Sequence, residues 1–329
     1  YTVGPTLPEV LGTTQPKGNY ANLKTKGWEL TLSWRDNFKL AGSDFHYGVK
    51  FMLWDSQSWI TKYNNATGKL SDYYEGYRIG DIWGYNIEGL FTSYDEIANH
   101  ADQDYIKISD SKIWQPGDLK FADLNGDGKI DKGAQTLSDH GDLVIVGNEE
   151  ERYHYGFNLN VGWKGIGISA FFQGVGKRDW YPGQETGFFW GKYNRPYGYS
   201  LKMHENRWTE ENPNPNAYWP RLVGYSSENG GRPMGTPNNR YMQDASYLRL
   251  KALTVDYSLP QAWVSKLGLT GLKIYFTGEN LFTFSNICEN FDPEVIKGGD
   301  VDLKDRKGEE QGYSYPMLKT YTVGLNVSF

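Results

Sequence analysis

The chain has a single cysteine, Cys288, in 329 residues. One thiol excludes an internal disulfide framework and any multi-cysteine metal site. No run of 18 apolar residues occurs and the mean hydropathy is −0.66, so no transmembrane helix is encoded. A membrane barrel stays open, because each of its strands gives only a weak hydropathy signal. Positive charge is not in excess. The formal net charge is −6 with the signs interspersed, which argues against nucleic acid as a partner. Catalytic signatures are missing too. His46, His100, His140, His154 and His204 show no zinc spacing, and His204-Glu205 lacks the second histidine of a metalloprotease helix. There is no nucleophile elbow, P-loop or dinucleotide fingerprint. The acidic residues read as solvated loop carboxylates rather than a glycosidase pair, and the chain is expected not to be an enzyme. No secretory leader heads it, so it reads as mature or internal sequence.

Aromatic residues and glycine are abundant: 25 Tyr, 12 Trp and 39 Gly. This mixture suits membrane girdles, tight turns and sugar-binding surfaces, as well as an ordinary all-β domain. The clearest pattern is at the end. Tyr321, Val323, Leu325, Val327 and Phe329 alternate with Thr322, Gly324, Asn326 and Ser328. A period of two over this length is a strand with one apolar and one polar face.

Six further stretches alternate in the same way. The first, from Gly27, puts Trp28, Leu30, Leu32 and Trp34 on one face. A turn over residues 36–43 leads to Phe45, Tyr47, Val49, Phe51 and Leu53, predicting a hairpin. Residues 152–163 alternate from Tyr153 to Trp163, and Lys164-Gly165 turns into Ile166, Ile168, Ala170 and Phe172. Residues 245–259 form a fifth strand whose phase shifts near Lys251, as a bulge would make it do. A short helical turn is expected over 260–269, followed by Leu272, Ile274 and Phe276. Between the seven strands the connections run short, long, short, long, short, long. The long ones cover residues 61–151, 176–244 and 286–312. Outer-membrane barrels have short periplasmic turns and longer extracellular loops. A soluble sandwich has no reason to place every long loop at one end. The predicted fold class is therefore all-β, a section of an antiparallel transmembrane barrel. Val323, Leu325 and Val327 should face lipid, and Thr322, Asn326 and Ser328 the lumen. A soluble extracellular glycan-binding β-protein is the alternative.

Several segments together resemble the C-terminal part of the SusC/RagA-type TonB-dependent transporters of Bacteroidetes. They are Lys26-Gly27-Trp28-Glu29, the run from Gly117-Asp118-Leu119-Lys120-Phe121 through Gly126-Asp127-Gly128, Tyr155-Gly156-Phe157, Phe171-Phe172-Gln173-Gly174, Ala245 to Lys251, Gly278-Glu279-Asn280-Leu281, and the terminal YPMLKTYTVGLNVSF. The resemblance runs from about Leu23 onward. It implies a multi-pass β-barrel of the cell outer membrane with 22 strands, a size class known for plugged transporters. Seven strands cannot close such a barrel. The expectation is that residues 1–329 are the C-terminal part, with the plug and N-terminal strands outside this chain. The resemblance also implies TonB-energised uptake of oligosaccharides or peptides, with a SusD-like surface lipoprotein as lid.

Two constellations are candidate sites. Asp123, Asn125, Asp127, Lys129 and Asp131 match the first nine positions of a calcium loop, with Gly128 at the sharp turn. Ala134 stands where a bidentate Glu is expected, so a further carboxylate, Asp139 or Asp142, would be needed. An Asx-rich turn without metal is the alternative. The aromatic set Trp83, Tyr85, Trp190, Tyr193, Trp208 and Trp219 could stack on substrate. For any one ring, packing of the large loops on one another is the simpler account.

Overall fold

The computed structural model describes residues 2–3, 17–18, 21–107, 113–184, 186–227, 232–296 and 314–329. Most of the third long segment, from 297, therefore lies outside the described residues, as does most of the stretch before Asn22. Seven strands form one antiparallel sheet: β1 (Asn22–Leu40), β2 (Ser43–Lys62), β3 (Arg152–Trp163), β4 (Ile166–Lys177), β5 (Tyr247–Ser258), β6 (Gly271–Ser285) and β7 (Thr320–Ser328). They follow one another in sequence order, each paired with its chain neighbours. The sheet is not closed. Among the described residues β1 pairs only with β2, and β7 only with β6.

The alternation fixes the two faces. Phe276 lies opposite Val323, Ile274 opposite Leu325, and Ile168 opposite both Val161 and Val255. This apolar face is open to the surroundings, with Val323 74% and Leu325 65% exposed. A water-facing sheet would not present such a band, whereas in a barrel wall it meets lipid. The opposite face is polar. Thr254 and Thr277 hydrogen-bond across β5 and β6 at 3.0 Å, and Lys273 pairs with Asp256 at 3.0 Å. Glycines on the strands make room for rings on the neighbouring strand. Gly324 faces Tyr275 and Gly174 faces Tyr155, and a side chain at either glycine would run into the ring.

The first hairpin differs from the expected eight-residue turn. β1 runs on to Leu40, and the reversal is the pair Ala41-Gly42, at φ 49° and 77°. Phe38 opposite Phe45 continues the ladder across residues that are polar enough to read as loop. Lys164-Gly165 makes the same kind of turn, at φ 49° and 83°. Two-residue turns with both φ positive match the right-handed twist of the strands they join. Lys251 is the extra residue of a bulge, skipped by β4 and β6 alike. Asn280, at φ 52°, marks the corresponding irregularity in β6. Gly278 and Asn280 interrupt the run of apolar side chains after Phe276, yet β6 continues in the same alternation through Phe282 and Phe284. The connection from β5 to β6 holds the expected helical turn, Gln261–Val264 and Ser265–Leu267.

All three short connections leave the sheet at one end, and all three long ones at the other. The main hydrophobic core belongs to the long segments and not to the sheet. Tyr85, Phe121 and Ile130 from the first, Trp190, Trp219 and Tyr241 from the second, and Ile287, Phe291 and Ile296 from the third pack into one cluster. Short ladders brace it, pairing Asp81–Gly84 with Val144–Asn148 and Ile87–Leu90 with Leu119–Phe121. The molecule is a wall with a folded roof over one rim.

Candidate functional site

The aromatic residues singled out in the sequence lie inside the roof. Trp190 and Trp219 are completely buried, and Tyr85, Tyr193 and Trp208 nearly so. Trp83 is half-buried and donates from its indole to the Tyr74 hydroxyl at 3.3 Å. Tyr193 stacks on Trp219 at 5.2 Å, and Trp219 on Tyr241 at 5.3 Å. Three of the polar tips are taken by backbone carbonyls, whereas the buried Tyr85 hydroxyl has no hydrogen-bond partner among the described residues. Trp190 donates to Gly183, Trp219 to Met203 and Tyr193 to Pro220, at 2.8, 2.9 and 2.7 Å. Buried Tyr and Trp normally find such partners. Burial also pushes the Tyr193 and Tyr241 hydroxyl pKa values well up. These five buried rings thus present no face to a ligand. Among the described residues the long segments hold only short ladders and helical turns, so they must bury apolar area of their own to stay folded, and their largest side chains supply it.

His204 joins this core. Its Nδ1 accepts from Leu201 N at 2.9 Å, so Nε2 carries the proton and donates to Phe189 O at 2.8 Å. Burial holds its pKa below the ordinary value of 6.5. The motif around Gly117 is explained here as well. Gly117 has φ 89°, and a side chain on it would collide with the Trp208 indole. Asp118 receives a two-pronged bond from Arg221 at 3.0 and 2.9 Å.

In the Asp-rich loop the side chains turn onto the loop's own backbone. Asp123 accepts from Gly126 N and Gly128 N at 2.7 and 2.9 Å. Asn125 accepts from Asp127 N, and Asp127 from Lys129 N, each at 2.9 Å. Asp131 accepts from Gly133 N at 2.7 Å. The two carboxylates named as completing ligands are engaged too. Asp139 accepts from Ala134 N, while buried Asp142 accepts from Leu124 N and Asp131 N. This is the Asx-turn arrangement. Among the described residues no three carboxylate, imidazole or thiolate groups converge as a cation site.

The open site is elsewhere, at the seam between wall and roof. Above Leu53, β2 carries Trp54, Ser56 and Ser58 on the polar face, which in a barrel is the lumen face. Trp54 and His154 are register partners and lie flat on each other, 3.7 Å between centroids and 4° between planes. Together with Arg78, Glu149, Glu150, Glu151, Arg152 and Arg178 they line a cavity of about 270 Å³. Arg152 grips Asp55 with two bonds, at 2.6 and 2.5 Å. Arg178 joins all three long segments, donating to Glu151 at 2.9 Å and to the Pro293 carbonyl at 3.2 Å. Sequence reading missed this site. Its signals are a tryptophan in the polar register of β2 and the run Glu149-Glu150-Glu151-Arg152 at a strand start.

No protein-family profile matches the chain. Individual relatives do. It is 26% identical over 338 residues to TonB-dependent receptor P3 of Formosa agariphila, covering 98% of this chain and 30% of that protein. With TonB-dependent receptor P26 of the same organism the identity is 28% over 336 residues, covering 98% and 31%. The chain thus spans about a third of the length of these curated relatives. Among solved structures, the RagAB peptide transporter superposes with a TM-score of 0.65 at 21% identity, over 98% of this chain and 31% of that one. The RagAB peptide importer in the open-open state gives 0.63 at 20% identity, over 98% and 30%. With the open seven-stranded wall, these matches make the chain similar to one portion of the TonB-dependent receptors P3 and P26, with the fold of part of the RagAB transporter barrel.

Proposed function

We propose that the chain forms part of the wall and extracellular roof of an outer-membrane importer whose uptake is energised through TonB. The observation that carries this reading is the pairing of an exposed apolar sheet face with long connections folded together at a single rim. Lipid accounts for the first feature, and contact with material outside the cell for the second. The open edges of β1 and β7 support the same reading. Unpaired backbone groups are not tolerated in hydrocarbon, so further strands of the full-length receptor would close the barrel. In that receptor this chain would be the C-terminal third, with the plug and N-terminal strands supplied by other parts. The exposed apolar band argues against a soluble glycan-binding protein, and no part of the reading calls for catalysis.

The cargo in this reading is an oligosaccharide or a peptide, and a SusD-like lipoprotein would cover the roof. The name of the RagAB peptide transporter supports peptide for that protein. Calcium would act as a stiffener of the loop at 123–131. Each carboxylate oxygen keeps a second lone pair beside its amide partner, but Asn125 and Asp127 would have to turn outward together. The test of the main reading is uptake by cells carrying the full-length receptor. Accumulation of oligosaccharide or peptide should cease when the proton-motive force is collapsed or TonB is deleted, and the receptor should fractionate with the outer membrane. Uptake that persists without TonB would refute it.

A further inference from the structure

The apolar face of the first hairpin ends, towards the roof, in a group of cations. On β1 the column Trp34, Leu32, Leu30 and Trp28 is continued by Lys26 and then Lys24, in the same register. β2 supplies a third. Trp59 lies opposite Lys24, and the register shift between Asn22 and Leu23 sets Lys62 opposite Asn22, the next position on that face. Successive positions on one face are about 7 Å apart, so long side chains can bring all three ammonium groups onto one anion. None of the three forms an ion pair among the described residues. Of the hairpin's carboxylates, Glu29 and Asp44 lie on the polar face, and Asp55 is held by Arg152. Asp36 shares the apolar face but sits near the opposite rim. A charge on that face is tolerated only close to an interface, so hydrocarbon begins above Asp36. It begins at Trp34, whose indole donates to the Tyr47 hydroxyl at 3.1 Å. A spanning strand takes about 9–11 residues, which puts the outer boundary close to Lys26 and Lys24. The same count up β7 from Val327 ends close to Lys319, whose ammonium lies 5.9 Å from the centre of the Phe282 ring.

We propose that Lys24, Lys26 and Lys62 form a site for the phosphate of one anionic lipid in the outer leaflet, with its acyl chains along Trp28, Leu30 and Leu53; the proposal rests on the barrel reading above. Two features select this occupant. Three uncompensated cations repel one another at a boundary where water gives way to hydrocarbon and screening falls. A phosphate placed among them turns that repulsion into attraction. The second feature is continuity. The cations cap an unbroken apolar column, Leu30 lying opposite Leu53 below them, so an anion with acyl chains gains contacts that a soluble anion does not. A further strand paired to β1 covers the edge of the sheet and leaves this face to the bilayer.

The test uses the full-length receptor purified in detergent, with lipids added singly and bound lipid counted by native mass spectrometry. Dioleoyl phosphatidic acid should bind at least about tenfold more tightly than zwitterionic dioleoyl phosphatidylcholine. Each of Lys24→Gln, Lys26→Gln and Lys62→Gln should weaken phosphatidic acid about fivefold, and the triple variant about a hundredfold, with phosphatidylcholine unchanged. Arginine at all three positions keeps the charge and should keep the affinity. The three side chains are exposed, and the heat-modifiable gel shift checks that each variant is folded. Inorganic phosphate at the lipid's own concentration should not compete, because it lacks the acyl chains; competition overturns the lipid assignment in favour of a free anion. Equal binding of the two lipids overturns the site, as does phosphatidic acid binding indifferent to the triple variant, which would mean that the lysines are neutralised by another part of the receptor. Either result from a receptor that fractionates with the outer membrane leaves the barrel reading standing. A receptor absent from that membrane removes the barrel reading and the lipid site together.

Discussion

Arg249 offers the most direct test of how the roof is tied to the wall. It sits on β5, and its side chain is 3% exposed. Its Nε donates to the Thr283 hydroxyl at 2.8 Å, its Nη1 to Glu294 at 2.5 Å and its Nη2 to Asp292 at 2.6 Å. Lys251, the bulge residue, binds the other oxygen of Glu294 at 2.8 Å. Two strands and the third long segment thus meet at one guanidinium. Arg249→Ala removes one partner of a buried ionic cluster, a change that typically costs about 3–5 kcal/mol. The lower end is expected, because Glu294 keeps Lys251, and Asp292 keeps the Glu294 and Met317 amides. Membrane barrels do not unfold in one step, so local opening is the right measure. At about 3 kcal/mol, hydrogen exchange of the amides at 287–296 should accelerate about 100-fold, with exchange in β1 and β2 unchanged. Arg249→Lys keeps the charge without the fork and should fall between the two. Acceleration below about fivefold, or a uniform rise across all strands, would refute the tether.

Gly117→Ala should destabilise the roof by about 2–4 kcal/mol, combining a non-glycine residue at positive φ with overpacking against Trp208; thermal melts of the receptor followed by tryptophan fluorescence would show it, and an unchanged melt would contradict the packing described. Gly324→Val should impair assembly of β6 with β7 by displacing the Tyr275 ring, read as the heat-modifiable gel shift of the folded barrel. His204 is held neutral, so its stabilisation is complete above its ordinary pKa of 6.5 and declines as pH falls below that value. Proteolysis at residues 186–219 should rise between pH 7.5 and pH 5.5, and His204→Gln should flatten that dependence. Glu96, lowered to about 2 chiefly by its bond to Lys120, adds a second loss only as pH falls below 4.5 towards 2. Chelator should increase exchange at 123–131 if calcium occupies the loop; equal protection with and without calcium would leave the Asx turns as its whole structure.

The strands were legible because their signal is local. Each side chain on a strand knows its face from its neighbours two residues away, and a barrel wall repeats that rule from Trp28 to Val327 except at the irregularities around Lys251 and Asn280. Even the bulge at Lys251 was visible, as a break in phase. The strand ends were less so: Asp36 to Lys39 look like loop, and only pairing with 44–47 makes them strand. The gathering of the long segments at one rim also followed from order alone, since antiparallel neighbours must alternate ends.

What lies within the roof did not follow. Trp190, Trp208 and Trp219 carry no periodic signal that separates a core ring from an exposed one, and their burial depends on partners up to a hundred residues away. Trp54 sits in a regular strand, yet only the approach of Glu149 to Arg152 and of Arg178 from two other segments turns its face into a cavity. Sequence alone determined the wall, its faces and its open end, because strand geometry is set by nearest neighbours. The tertiary structure decided which aromatics are core, which are platform and which charges meet, because those contacts exist only after distant loops have closed on one another.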